Sequence, residues 1–151
     1  MFDRPLTDAE DARIRARRVL PRLVFDYIDG AAGQEVGEAR NRDRLRDIVL
    51  QPRILRNVQQ RTLSTTILGE DADLPFGIAP MGMCNLAWPG ADVMLARLAA
   101  REKVPHGLST VASTSMERVW EASQGQAWFQ LYYSGDGEGT IKLVERAKAV
   151  G

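Results

Sequence analysis

Polar side chains and glycine follow directly after three short apolar runs in the second half of this 151-residue sequence. The three groups are Ala79-Pro80-Met81-Gly82, Leu108-Ser109-Thr110 and Gln130-Leu131-Tyr132. Gly82 has no Cβ, so its backbone N–H can approach a flat ligand closely. Ser109 offers a hydroxyl, and Gln130 offers an amide that both donates and accepts hydrogen bonds. These groups are suited to binding the edge of a heterocycle.

Each of these residues also has a purely structural interpretation. Gly82 can be an ordinary turn glycine, and Ser109 and Gln130 can be polar residues that end a strand. The phenols of Tyr27 and Tyr132 can donate to a carboxylate, although a tyrosine on a half-buried face more often packs in a core or rim. Taken one by one, the residues leave both interpretations open.

Several other chemistries lack the residues they need. His106 is the only histidine and Cys84 the only cysteine, so a site with several His and Cys ligands cannot form within this chain. The sequence has neither the glycine-rich phosphate loops of nucleotide-binding proteins nor the G-x-S-x-G elbow of hydrolases. His106 falls inside a predicted strand, which favours a structural role over a catalytic one.

Composition and charge indicate a folded, soluble chain, with 44% hydrophobic and 26% charged residues. The 20 Lys and Arg residues balance the 20 Asp and Glu residues, so no net field attracts nucleic acid. The arginines between residues 13 and 22 alternate with acidic residues and are interpreted as a solvated helix face. A single cysteine excludes an internal disulfide and favours a reducing cytoplasm. The sequence shows no signal peptide and no apolar run of transmembrane length.

Strand-like and helix-like segments alternate in the second half of the chain. Apolar runs predict strands at 74–79, 104–109 and 127–132. Helical spacing predicts helices at 91–103, from a cap at Thr114 to Ser123, and at 140–150. This alternation predicts parallel strands joined by right-handed crossovers. Both an open doubly wound sheet and an eight-stranded barrel fit it, and because a barrel needs about 250 residues, a longer protein is expected.

The first part of the chain is predicted to be helical and then irregular. A capping box at Thr7 starts a helix that runs to about Val19, and a second helix runs from Pro21 to Gly30. A weaker, exposed helix is predicted at 34–47. Residues 51–68 are predicted to be extended or irregular because they contain Pro52 and the β-branched run Thr65-Thr66-Ile67.

A set of short motifs occurs in a characteristic order along the chain. They are Val24-Phe25-Asp26-Tyr27 with Gly30-Ala31-Ala32, Asn41, Gln51-Pro52-Arg53-Ile54-Leu55, Thr65-Thr66-Ile67-Leu68-Gly69, Ile78-Ala79-Pro80, Leu108-Ser109-Thr110 and Phe129-Gln130-Leu131-Tyr132. Together they resemble the FMN-dependent 2-hydroxy-acid dehydrogenase/oxidase family, which includes glycolate oxidase, flavocytochrome L-lactate dehydrogenase and mandelate dehydrogenase. The resemblance implies an α/β fold, the N-terminal part of a (β/α)8 TIM barrel. Residues 1–70 would form a helical lead-in and residues 71–151 the first three β/α units.

The resemblance also implies roles for individual residues. Ala79, Pro80, Met81 and Gly82 would line the FMN cofactor, with the Gly82 backbone near flavin N5. Ser109 and Gln130 would contact the isoalloxazine ring, Gln130 through its amide at the pyrimidine portion. Tyr27 would bind the substrate carboxylate, and Tyr132 would lie beside the substrate and stabilise developing charge.

Two features bear on the subtype, and one absence bears on activity. Oxidases of the family commonly have alanine where Gly82 stands, and Trp88-Pro89-Gly90-Ala91 resembles the mandelate branch, so a dehydrogenase is favoured. The family's histidine base, its flavin-binding lysine and phosphate-binding groups, and its arginine clamp come from later strands without a counterpart here. The chain alone is therefore expected to be inactive, because no residue supplies the general base.

The activity implied by the resemblance is FMN-dependent oxidation of a small L-2-hydroxy acid, lactate- or mandelate-like, to the 2-oxo acid, as part of a longer enzyme. The electron acceptor, whether quinone, cytochrome or O2, stays open. The resemblance also implies a homo-oligomer, commonly a tetramer, and a cytoplasmic protein that in some mandelate-type relatives attaches to the inner face of the cell membrane. A non-catalytic flavin-binding or assembly module is the alternative, although its bare strand edges argue against it.

Overall fold

The computed structural model describes residues 5–133 and 135–151. The chain divides into two compact units, the first ending at Gln60 and the second beginning at Arg61. Within the described residues, no helix has the length and apolar character needed to cross a bilayer.

The first unit contains three helices, α1 (Ala9–Val19), α2 (Arg22–Asp29) and α3 (Val36–Arg46). All three were predicted, but the start of α1 differs from the prediction. The N-cap is Asp8 rather than Thr7, because the Asp8 carboxylate accepts the backbone N–H of Asp11 at 2.8 Å. Residues 48–60 have no regular secondary structure, which agrees with the prediction of extended or irregular chain from residue 51 onward.

An ion pair joins α1 and α2. The Arg13 guanidinium donates to both carboxylate oxygens of Asp29, at 2.5 and 2.8 Å. This bidentate contact lowers the pKa of the Asp29 carboxyl below its ordinary value. Phe25 is the buried residue of α2, while Leu23 on the same helix is exposed.

A β-hairpin opens the second unit. Strand β1 (Thr65–Ile67) pairs antiparallel with β2 (Glu70–Ala72). Leu68 and Gly69 form the turn, and both have positive φ, 51° and 90°, as a two-residue turn with matching twist requires. The sequence predicted extended chain here but not the hairpin.

Three parallel strands follow, in the order β3 (Ile78–Met81), β4 (His106–Ser109) and β5 (Ala127–Gln130). The helices of the unit are α4 (Cys84–Ala87), α5 (Ala91–Glu102), α6 (Met116–Ala122) and α7 (Glu138–Val150). The predicted alternation of parallel strands and helices is therefore confirmed. The strands are shorter than predicted, α4 was not predicted, and Ser115 rather than Thr114 caps α6 by accepting the Arg118 N–H.

The core of the second unit lies between the sheet and its helices. Ala96 of α5, Leu108 of β4 and Val119 of α6 are its buried centre, and Phe129 of β5 packs against them. Side chains alternate along a strand, so Leu108 faces the helices while its neighbours Gly107 and Ser109 face the opposite side. Leu108 thus anchors β4 to the helices, and Ser109 at the end of the strand faces away from this core.

A second bidentate ion pair connects α6 and α7. The Arg146 guanidinium donates to both oxygens of Glu117 at 2.8 Å. These hydrogen bonds lower the pKa of Glu117 to about 2. Both side chains are about half exposed. The pair therefore contributes more to how α6 and α7 are oriented than to the stability of the fold.

His106 at the start of β4 is buried, with 3% of its surface exposed. Burial lowers the pKa of the imidazole below its ordinary value, and the nearby Asp92 carboxylate opposes this to a smaller extent. His106 is therefore neutral in the folded chain. This agrees with the structural role that the sequence favours for it.

This histidine should make the second unit sensitive to acid. The unfolded chain binds a proton at His106 near pH 6.5, whereas the folded chain binds it only at lower pH. Above pH 6.5 the neutral His106 costs the folded chain no stability. Below pH 6.5 stability is lost progressively, until the pH has fallen through the pKa that His106 has in the folded chain. Urea unfolding at about pH 8 and about pH 5 should show that His106→Leu loses less stability on acidification than the parent. Equal losses in both proteins would contradict this.

Candidate functional site

The ends of the three parallel strands meet at one edge of the sheet. Met81 of β3 is in register with Leu108 of β4, and Ser109 of β4 with Gln130 of β5. Residues that follow parallel strands emerge at the same edge, which is where ligands bind in α/β folds. The structure thus places the three predicted groups of residues side by side.

Ser109 and Gln130 form a side-chain pair at this edge. The Ser109 hydroxyl donates to Gln130 Oε1 at 3.3 Å and accepts the backbone N–H of Val111 at 3.2 Å. Ser109 is buried, so this contact fixes the orientation of the Gln130 amide. No acceptor among the described residues engages Gln130 Nε2, which leaves two N–H donors for a ligand.

Thr110 ties the loop after β4 to the end of β5. Its hydroxyl donates to the Gln130 carbonyl at 2.6 Å and accepts the backbone N–H of Tyr132 at 3.0 Å. One hydroxyl therefore satisfies two backbone groups of the neighbouring strand end. The sequence placed Thr110 at a strand end without a role, and the spacing alone gives no sign of these cross-strand bonds.

The loop after β3 packs against the loop after β4 at Gly82. A Cβ on Gly82 would lie 2.6 Å from Val111 Cγ2. The missing side chain of Gly82 thus makes room for Val111. Next to it, the backbone N–H of Met83 donates to the Val111 carbonyl at 3.1 Å. Backbone approach to a flat ligand at Gly82 stays a prediction.

Ala79, Pro80 and Met81 form the exposed end of β3. Pro80 lies directly against Gly107 of β4, where a Cβ would come within 2.9 Å of Pro80 Cδ and 3.1 Å of Pro80 N. Only glycine at position 107 allows this approach. Gly107 therefore sets the spacing of β3 and β4 beneath the candidate site, a role that the sequence did not indicate.

Gly107→Ala should accordingly destabilise the second unit by about 1–3 kcal/mol, the usual cost of overpacking. Gly139→Ala is the matched control, because a Cβ at this position in α7 has no neighbour within 4 Å. An alanine there should instead stabilise the helix by about 0.5–1 kcal/mol. Urea unfolding of both variants checks these opposite signs, and a neutral Gly107→Ala would show that β3 and β4 can separate freely.

The two predicted tyrosines lie in different units. Tyr132 follows β5 in the second unit and is 56% exposed, with its backbone fixed by Thr110. Tyr27 lies on α2 in the first unit and is 59% exposed. Both phenols are therefore accessible within their own units, and the role of Tyr27 beside the other residues stays a prediction.

Metal binding finds no support within the described residues, where no group of three or more His, Cys, Asp or Glu side chains could hold an ion. The free Cys84 lies next to this edge, and its thiol lies 3.6 Å from the Met81 carbonyl. Partial burial, with a contribution from Asp92, raises the pKa of the Cys84 thiol. The candidate site is thus built from hydroxyl, amide and backbone groups.

The chain belongs to the FMN-dependent dehydrogenase family, which residues 16–151 match. It is 40% identical over 146 residues to the L-lactate dehydrogenase of Pseudomonas syringae pv. syringae, covering 97% of this chain and 38% of that protein.

Solved structures also share this fold, including the following two. Mandelate oxidase superposes with a TM-score of 0.89 at 33% identity, over 97% of this chain and 43% of that one. An oxidised active mutant of (S)-mandelate dehydrogenase gives 0.90 at 35% identity, over 97% and 41% of the respective chains. The resemblance seen in the sequence is thereby confirmed. The fold is that of the N-terminal part of FMN-dependent TIM-barrel dehydrogenases. The chain spans 38% of the length of its lactate dehydrogenase relative.

The chemistry of this edge fits FMN. The pyrimidine portion of a flavin presents carbonyl and N–H groups in one plane, and the free Gln130 Nε2 is a donor for such a carbonyl. The Ser109 hydroxyl orients the amide by its hydrogen bond to Oε1. Pro80 and Met81 supply apolar surface at the end of β3. The site would hold the ring system by one oriented amide and by the exposed end of β3.

Proposed function

We infer that this chain builds part of the FMN site of a longer dehydrogenase that oxidises a small L-2-hydroxy acid, lactate- or mandelate-like, to the 2-oxo acid. The observation that carries this inference is the Ser109–Gln130 pair at the carboxyl ends of adjacent strands. Family membership supports FMN as the cofactor. The relatives named for lactate and mandelate support the class of substrate.

Each residue of the site has a distinct task in this proposal. FMN, when bound, accepts two electrons from the substrate. Gln130 binds the pyrimidine edge of the ring, and Ser109 contacts the ring and orients that amide. Ala79, Pro80, Met81 and the Gly82 backbone line the ring system. A glycine at this last position favours a dehydrogenase over an oxidase.

Substrate binding is assigned to the two tyrosines. The Tyr27 phenol would donate a hydrogen bond to the substrate carboxylate, and Tyr132 would lie beside the substrate. Tyr132 would also stabilise the charge that develops beside the flavin, which makes it the catalytic residue proposed for this chain. Its accessible phenol and its backbone anchor on Thr110 support this assignment.

Proton removal needs a base that these residues do not provide. His106 is buried at the start of β4, three residues before Ser109, and burial disfavours its protonated form. It is therefore unsuited to take a proton from a bound substrate. We expect the 151-residue chain to bind FMN without oxidising a 2-hydroxy acid.

The direct test is the absorbance of FMN with the purified chain, followed by anaerobic addition of L-lactate and of mandelate. Binding should perturb the visible spectrum, and the bound flavin should stay oxidised with either acid. Bleaching would reveal a base that these residues do not indicate. An unperturbed spectrum would contradict an FMN site in this chain.

Tyr132→Phe provides a substrate-specific comparison in a complete enzyme that contains this chain. It keeps the ring but removes the phenol, so kcat/KM for the hydroxy acid should fall while FMN binding is retained. Tyr133→Phe is the matched control on the next residue, whose phenol is assigned no role. Equal activity of both variants would remove Tyr132 from the proposed mechanism.

The wider setting of the enzyme follows from the same proposal. The electron acceptor is a quinone, a cytochrome or O2, and the enzyme is a homo-oligomer, a tetramer by family resemblance. It works in the cytoplasm or on the inner face of the cell membrane. A non-catalytic flavin-binding module would share the FMN site, and only the activity of a longer protein distinguishes the two.

A further inference from the structure

Two loops run side by side at the edge of the sheet where the FMN site is proposed. The first comprises residues 82–87 after β3, and the second comprises residues 110–115 after β4. The Met83 N–H donates to the Val111 carbonyl at 3.1 Å. This bond involves only backbone atoms, so it does not by itself fix how the side chains of the two loops meet.

One side-chain hydrogen bond also crosses between these loops. Asn85 Nδ2 donates to Thr114 Oγ1 at 3.1 Å, in a partly buried position. The two residues are 29 positions apart in the sequence and belong to successive β/α units. The bond therefore links the two halves of the proposed cofactor edge directly.

The Asn85 amide also includes a feature that lowers the stability of the fold. Its Oδ1 atom is buried and has no hydrogen-bond partner among the described residues. A buried oxygen without a partner destabilises a protein, whereas an apolar side chain of similar size would avoid that penalty. Stability alone therefore does not favour asparagine here, and the bond from Nδ2 to Thr114 needs another explanation.

The segment that Asn85 belongs to has little structure of its own. Helix α4 is a single turn, Cys84–Ala87, and Met83 before it has a positive φ of 52°. A one-turn helix is not stable without outside contacts. The position of Gly82 at the start of this loop thus depends on the contacts made with the second loop, at Val111 and at Thr114.

We propose that Asn85 and Thr114 are a positioning pair. Their hydrogen bond holds the first loop, which begins at Gly82, at a fixed distance from the second loop, which follows Ser109, so that the two sides of the flavin site keep one geometry. Neither residue contacts the flavin or the substrate in this proposal. They act through Gly82 and Ser109, and the proposal rests on the FMN site proposed above.

The first test compares Thr114→Val with Thr114→Ser by FMN titration. Valine removes the hydroxyl at nearly constant size, and serine keeps it. Thr114→Val should weaken FMN binding by about threefold to tenfold, as expected for one lost hydrogen bond, and should alter the visible circular dichroism of bound FMN. Thr114→Ser should match the parent. Thr66→Val is the matched control, because it removes a hydroxyl that contacts Asp71 within the hairpin.

The second variant, Asn85→Leu, separates positioning from stability. It removes the buried, unpartnered oxygen, so the melting temperature should be unchanged or raised. FMN binding should nevertheless weaken as in Thr114→Val. A residue with only a structural role would change both properties in the same direction, and that outcome would overturn the proposal.

Amide hydrogen exchange of Met83 tests the pair without FMN. Exchange should be faster in Thr114→Val than in the parent and unchanged in Thr114→Ser. Unchanged exchange in Thr114→Val, together with unaltered FMN binding, would overturn the proposal. Faster exchange in a chain that does not bind FMN would support the pair and would count against the proposed function instead.

Discussion

Truncating Leu108 to alanine should lower the free energy of unfolding of the second unit by about 2–5 kcal/mol, the range for large-to-small changes in a packed core. Leu108 is 5% exposed and packs with Ala96 and Val119 at the centre of the core. It also borders a cavity of about 270 Å³ between the sheet and helices α6 and α7.

Urea unfolding followed by tryptophan fluorescence measures this loss, since Trp120 and Trp128 line the same cavity. Leu98→Ala is the matched control, because Leu98 on α5 is 40% exposed. That variant should lose less than about 1 kcal/mol, as substitutions outside the core usually do. Similar losses in the two variants would mean that the core does not lie where the packing places it.

Thr110→Val should have the second large effect, because a single hydroxyl serves two backbone groups. Its removal leaves the Gln130 carbonyl and the Tyr132 N–H without their partner. An unpaired group costs about 1–3 kcal/mol when water cannot replace the bond. Tyr132 is exposed and can be partly solvated, so a total loss of about 2–3 kcal/mol is expected.

Thr110→Ser keeps the hydroxyl and separates the hydrogen bonds from the lost methyl group. It should retain most of the stability, whereas Thr110→Val should also expose the Tyr132 amide to hydrogen exchange. A neutral Thr110→Val with a protected Tyr132 amide would show that this hydroxyl does not hold the end of β5.

Much of the fold could be predicted because the relevant signals are local. The apolar run of β4 and the amphipathic spacing of α5 are read from neighbouring residues, and their order implies parallel pairing. Helix starts were less accurate, because Asp8 and Ser115 compete with Thr7 and Thr114, and adjacent capping residues look equivalent in a sequence.

Contacts between distant residues could not be predicted in the same way. The approach of Gly107 to Pro80 arises from the tertiary arrangement of β3 and β4. The hairpin turn at Leu68 is local, and it was missed for a different reason. Leu68 adopts a left-handed backbone that a propensity scale assigns to glycine or asparagine. Leu68 is 85% exposed, so no packing of its side chain explains this backbone.

The residues of the candidate site show the same difference between local signals and contacts between distant residues. Ser109 and Gln130 could be found because polar residues at strand ends share one edge of a parallel sheet. Thr110, Gly107 and Asn85 could not, since their partners lie on neighbouring strands and loops, between 20 and 29 positions away for the two polar residues. The residues that support the site are therefore harder to find than those that form it.

FMN titration of Gln130→Leu beside Gln126→Leu tests the position of the cofactor most directly. Gln130 lies at the carboxyl end of β5, and the exposed Gln126 lies just before the strand begins, at its opposite end. The two substitutions are chemically identical and are separated by one strand length. If FMN binds where proposed, Gln130→Leu should weaken binding by about tenfold, and Gln126→Leu should bind like the parent. Unchanged binding in Gln130→Leu, or equal losses in both variants, would contradict an FMN site at the carboxyl edge of this sheet.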